Sequence, residues 1–182
     1  MASVFEKYMF GNDKEKHGIA ESTMLKATNC GNFYNVVGTV DLDNGSVCVL
    51  DVENYKEDDY FEAAVAKVTD KIVLLLNPVK IYEETYTEMQ NEENFYNASG
   101  ELIRAYEIYD TDRFSLSVEA FKAEPTSEVA VGKYVVVDGT GYKLDVVENK
   151  PESGYGFVGK IIEHNANGTY QIFVIRNRAI EA

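Results

Sequence analysis

The chain has 182 residues, of which 45% are hydrophobic and 26% charged. This is a globular balance, with length enough for one ordinary domain or two small ones. Its 31 acidic against 17 basic residues give a formal net charge of −14, which argues against nucleic acid and anionic membranes as partners, since both demand a basic footprint. No stretch approaches the roughly 20 apolar residues of a membrane helix, and residues 1–10 lack the charged-then-apolar order of a signal peptide. Folding in a reducing cytosol is therefore expected, with Cys30 and Cys48 as free thiols and Cys48 on an apolar strand face.

Residues 1–33 read as an N-terminal arm or edge element, in which Ser3 suits a helix cap and Gly11 a stop. The segment 23–29 is weakly patterned. Two β-branched runs, 34–40 and 46–52, flank Asp41-Leu42-Asp43-Asn44-Gly45, and Asn-Gly between such runs predicts a β-hairpin. An acidic break at 55–59 precedes 61–67, where Ala63, Ala64 and Ala66 suit strand and helix alike and strand is preferred, and residues 71–77 are a buried strand ended by Pro78. The segment 88–99 predicts a helix, with an acidic first turn and Gly100 as its stop. Strands follow at 102–109 and 113–118, then a short helical turn at 119–121.

The texture changes after Pro125-Thr126-Ser127. Four strand-like runs, at 133–137, 142–147, 155–163 and 169–176, are separated by Asp138-Gly139-Thr140-Gly141, by a loop at 151–154 and by Asn165-Ala166-Asn167-Gly168. That spacing suggests a small β-barrel or meander. The expected fold is therefore mainly β (α+β): an arm at 1–33, a β-rich domain at 34–124 with a short helix near 88–99, and a small barrel-like domain at 125–182.

The residues of common catalytic and metal sites are sparse. His17 lies in a charged segment and His164 just before a turn, and both read as solvent-facing. Asp41 to Gly45 fails as a calcium loop, because the glycine is fifth and the twelfth position is Val52. The acidic clusters Glu57-Asp58-Asp59 and Glu92-Glu93 read as solvated faces, not as a glycosidase pair. Neither a phosphate-cradling Gly-rich loop nor a Gly-x-Ser-x-Gly elbow is present. The three Asn-x-Ser/Thr triplets at Asn44, Asn97 and Asn167 read as polar turns. No cofactor and no catalytic residue is expected. With 13 Tyr and 9 Phe and no Trp, the composition suits contact surfaces, because tyrosine pairs a large apolar ring with a polar tip.

Three stretches together carry a resemblance. They are Ile72-Val73-Leu74-Leu75-Leu76-Asn77-Pro78-Val79 with Tyr82-Glu83-Glu84; Asn94-Phe95-Tyr96-Asn97-Ala98-Ser99-Gly100 leading through Ile103-Arg104-Ala105-Tyr106 to Asp112-Arg113-Phe114-Ser115-Leu116-Ser117; and Val131-Gly132-Lys133-Tyr134-Val135-Val136-Val137 with Gly159-Lys160-Ile161-Ile162. In this order the chain resembles, over roughly residues 34–176, the head decoration (cement) proteins of tailed phages of Gram-positive hosts, encoded near the major capsid protein. The resemblance implies a non-enzymatic virion protein on the head exterior, with the major capsid protein as partner, and leaves monomer and trimer both open. A tail or head–tail connector component and a carbohydrate- or surface-binding module are the alternatives. If the arm docks on a shell, Phe5, Tyr8, Met9 and Phe10 are its natural apolar anchors.

Overall fold

A computed structural model of the protein describes residues 16–56, 59–79, 91–122 and 129–180. Eleven strands occur among them: β1 (Ala20–Glu21), β2 (Phe33–Val37), β3 (Val47–Lys56), β4 (Tyr60–Ala64), β5 (Val73–Leu75), β6 (Leu102–Glu107), β7 (Arg113–Leu116), β8 (Tyr134–Val136), β9 (Asp145–Val147), β10 (Phe157–His164) and β11 (Tyr170–Asn177). The class is β-rich, as expected. The closed barrel, however, is built from residues 33–107, in the order β2-β4-β3-β5-β6, with β6 pairing back to β2. The C-terminal strands form an open six-stranded sheet ordered β1-β7-β11-β10-β8-β9, so β1 and β7, which precede residue 125, complete it.

The two sheets share material through the period-2 alternation of their strands. On β3, Cys48 and Leu50 point into the barrel, while Val47 and Val49 pack in the second core. On β5, Val73 and Leu75 face the barrel interior and Leu74 faces the second core, as does Ile72 just before it. The unbroken apolar run 72–76 thus reflects a strand buried on both faces. The barrel interior is small, filled by Val36, Leu42, Cys48, Ala63, Val73, Leu75, Ile103 and Ala105. The larger core lies between barrel and open sheet and includes Phe114, Phe157, Ile161 and Ile172.

The hairpin expected at Asp41 to Gly45 does not form. β2 and β3 are not neighbours, because β4 lies between them and pairs with β2 in parallel. The Asn-Gly signal is used differently. Gly45 adopts φ +91 and lies so close to Leu116 and Ala120 that a Cβ would sit 2.8 Å from Leu116 Cδ2. Asn44 is one of three buried asparagines that bond to one another: its Oδ1 accepts from the Asn77 backbone N–H (3.0 Å) and from Asn97 Nδ2 (3.2 Å). Asn77 Nδ2 donates to Asn97 Oδ1 (2.9 Å) and to the Leu102 carbonyl (2.8 Å), and its Oδ1 accepts from the Arg104 N–H. Asn44 does sit in a turn, closed by the Ser46 N–H to the Asp43 carbonyl (3.2 Å), but its side chain, like that of Asn97, is an interior hydrogen-bonding group and not a solvated one.

The helix expected at 88–99 reduces, among the described residues, to one 3-10 turn at Glu92–Asn94. Phe95 is already extended there, and Asn97 bridges to Leu42. Burial of Phe95, Tyr96, Asn97 and Ala98 in succession suits extended chain, because a helix would turn one of them to solvent. The expected helical turn at 119–121 appears one residue earlier, as a 3-10 turn over Val118–Ala120. A short helix the sequence reading missed, α1 (Lys26–Cys30), ends at Gly31 in the left-handed conformation, whose N–H bonds to the Ala27 carbonyl.

Asn77→Ala should lower unfolding free energy by about 2–4 kcal/mol, since it strands the part-buried Leu102 carbonyl and Arg104 N–H and the buried Asn97 side-chain oxygen at once; urea titration checks this. Gly156 offers a second test, because a Cβ there would fall on the carbonyl oxygens of Thr69 and Asp70. Gly156→Ala should cost roughly 1–3 kcal/mol, whereas Gly141→Ala, with open space around it, should stay within about 0.5 kcal/mol of the parent.

Candidate contact surface

An apolar exposed region lies at one end of the barrel, on β2, β3 and β4. Val36 fills the barrel, but the strand's leading residues pass beyond the packed interior, leaving Phe33 45% and Tyr34 37% exposed. Phe61 is the Cα partner of Val36 across β2–β4 and packs against the barrel core, so its ring has a firm backing. Tyr34 meets it edge-on, with ring centroids 5.8 Å apart and planes at 89°. Tyr55 reaches the same ring from β3 at 4.7 Å and 51°. The long arm of β3 is possible because its register with β4 shifts between Asp51 and Lys56, a bulge-type irregularity that re-aims the side chains beyond it. Tyr55 is 49% and Val52 73% exposed.

These rings line an open cavity of about 460 Å³, together with Asn35, Val52 and Asp59. Asp59 is held at φ +60, a left-handed conformation that aspartate tolerates better than most side chains. Its Oδ1 accepts the Tyr55 hydroxyl at 2.7 Å. That hydrogen bond to a carboxylate pushes the Tyr55 phenol above its ordinary value. On the neighbouring flank the Arg104 guanidinium lies 5.5 Å from the Phe33 ring centre.

A second cluster joins the segment before β1 to the loop ahead of β3. His17 is not solvent-facing: its side chain is only 16% exposed, its Nδ1 is 2.8 Å from Asp43 Oδ1, and its ring lies 4.6 Å from that of Tyr96. Lys143 Nζ contacts the other Asp43 oxygen at 2.8 Å and donates to the Glu119 carbonyl. The His17 N–H donates to the Glu93 carbonyl, and Lys16 pairs with the Glu93 carboxylate. Glu93 is thus a tether and not only part of a solvated face. Burial pushes the Asp43 carboxyl up, but hydrogen bonds and charge from His17 and Lys143 outweigh that and hold it below the usual range. Every charge here has an opposite partner, so the cluster reads as a clasp holding residues 16–19 onto the body of the protein. His164, by contrast, stacks on Tyr170 at the exposed end of β10.

Cys30 is exposed on α1 and Cys48 is buried in the barrel, both as free thiols. Burial pushes the Cys48 thiol up to about 12, so it is held protonated. Among the described residues, no group of three or more His, Cys, Asp or Glu side chains is placed to hold a metal ion, and no helix is long and apolar enough to cross a membrane. The anchors expected at Phe5, Tyr8, Met9 and Phe10 lie outside the described residues, as do Glu57 and Asp58. Sequence reasoning missed the aromatic cluster because its members come from three strands. The local trace was an aromatic at each end of the acidic break, Tyr55 before it and Tyr60-Phe61 after it. No protein-family model matches the chain, and a search of curated proteins finds no match.

A folded-state carboxyl held below its unfolded value of about 3.9 contributes stability that is complete above that value and is lost as pH falls through the folded one. Asp43→Asn should therefore be less stable than the parent at pH 7, by about 2 kcal/mol. The gap should close in urea titrations carried down through the acid range, below pH ~4.

Proposed function

We propose that the chain is a decoration protein of a tailed-phage head, binding the outer face of the mature shell and stabilising it, with the major capsid protein as its partner. The observation that carries this reading is the aromatic surface on a closed barrel formed by exposed Phe33, Tyr34 and Tyr55 with half-buried Phe61. Interface hot spots favour aromatic side chains held on rigid elements, and a barrel has no free strand edge to shift on contact. The resemblance over residues 34–176 supplies the class of partner. The net charge of −14 suits solubility at the high local concentration of a coated shell. This role requires no catalytic group.

A second reading rests on the same surface. Tyrosine rings flanked by Asn35 and Asp59 also suit a carbohydrate- or surface-binding module, which would show saturable binding to glycans or cell wall. A tail or connector component differs in stoichiometry, at about a dozen or fewer copies per particle.

Co-sedimentation with purified expanded heads of the matching phage is the test. The expected outcome is saturable binding with on the order of hundreds of copies per head, as icosahedral repetition requires. Tyr34→Ala combined with Tyr55→Ala should weaken attachment at least ~30-fold, a hot-spot loss, and leave the urea midpoint within error. Absence of binding by the parent protein would overturn the decoration reading.

A further inference from the structure

We propose that Tyr34, Tyr55 and Phe61, with the Asp59 carboxylate at their rim, form a cage for an organic ammonium ion. The inference rests on reading this end of the barrel as a contact site and specifies the chemistry it selects.

Three observations converge on a cation. First, the three rings line one cavity and are not parallel: Tyr34 stands at 89° and Tyr55 at 51° to Phe61, with centroids 5.8 and 4.7 Å from it. A flat stacked array would offer one face to a planar ligand. Rings set at angles around a hollow instead suit a compact ligand, as in the aromatic cages that recognise alkylated ammonium groups. Second, a carboxylate lies in the wall. Asp59 is fixed there by its φ of +60 and by the Tyr55 hydroxyl, 2.7 Å from Oδ1. That bond leaves the rest of the carboxylate's acceptor capacity available. Third, a ring of the same wall already takes a cation, since the Arg104 guanidinium lies 5.5 Å from the centre of Phe33. The field of a chain with net charge −14 favours positive ligands further.

Shape and hydration set the class of ligand. The open hollow of about 460 Å³ has ample room for a tetraalkylammonium group. Its walls include Val52 and few hydrogen-bond donors, so a methylated ammonium, which surrenders little hydration, fits better than a strongly hydrated primary amine. The shared chemistry is an alkylammonium, supplied either by a quaternary head group or by an amine-bearing side chain.

The test titrates the full chain with choline, n-butylammonium and 3,3-dimethylbutan-1-ol, following the ring resonances of Tyr34, Tyr55 and Phe61 by NMR. The alcohol is the neutral isostere of choline and controls for apolar contact alone. Choline is expected to bind saturably and roughly tenfold more tightly than the alcohol, the difference a cation–π and carboxylate contribution makes at an exposed site. Asp59→Asn tolerates the same backbone conformation and should lose several-fold in choline affinity with an unchanged fold. Tyr55→Ala should abolish saturation. Choline is expected to bind more tightly than butylammonium, and the reverse order overturns the assignment to quaternary ammonium groups. Equal binding of choline and the alcohol, or no saturable shift with either cation, overturns it. Head co-sedimentation in parallel separates the two readings: cations bound without heads would leave the cage standing and remove the decoration role, and heads bound without cations would do the reverse.

Discussion

The structure depends on one strand having no solvent face. β5 is three residues long, yet Val73 and Leu75 close the barrel while Leu74 and the preceding Ile72 seal the core beneath the open sheet. A strand buried on both sides leaves its ends to satisfy their polar groups inside the protein, since a stranded donor or acceptor there costs about 1–3 kcal/mol. Asparagines do this at both ends. At the entry, Asn177 Oδ1 accepts the Ile72 N–H, and its Nδ2 donates to the Ile72 and Ile108 carbonyls. At the exit, Asn77 is held within the Asn44–Asn77–Asn97 group. The amide side chain suits the role because it carries donor and acceptor together and has no charge to desolvate.

This explains which parts of the fold were legible in the sequence. Strands 71–77 and 102–109 were read from apolar runs and alternation and contain β5 and β6, while the segment 61–67, which suits strand and helix alike, overlaps β4, whose first residue is Tyr60. The Asn165 to Gly168 turn was also legible, because β10 and β11 are adjacent and antiparallel and Gly168 takes its positive φ there. The Asn44-Gly45 signal was equally strong locally and led to the wrong pairing. Its determinants are Asn77, Asn97, Leu116 and Ala120, all distant in sequence. The same holds for His17, whose partners Asp43, Glu93 and Tyr96 come from two segments distant from it in sequence. Short-range pattern finds elements; it does not find what a polar residue meets after the chain has closed on itself.

The contact surface follows from the barrel's geometry. The interior holds alanines and a cysteine and takes few large side chains, so the large rings at the ends of β2 and β3 have no interior volume to enter. Tyr34 and Tyr55 gather instead around Phe61, a ring with a footing in the core. The bulge in β3 and the left-handed Asp59 set the direction of that gathering. Rigidity and exposure coexist here because the backing is a closed sheet, which lowers the ordering entropy that a partner would otherwise have to overcome on binding.

The pairing of β1 with β7, and of β7 with β11, has a consequence for how the chain reaches this state. Ile19 bonds to Ser117 across 98 positions, and Ile72 to Asn177 across 105. Such long loops must be closed before their contacts return any free energy, at a cost that rises with the logarithm of the separation, and this slows folding. The barrel strands are synthesised before β11, but β5 loses its Asn177 cap until that last strand arrives. A nascent chain stopped short of residue 170 would carry a barrel with an unsatisfied strand entry and an uncovered apolar flank. Completion of the C-terminal strand is thus the step that commits both sheets together.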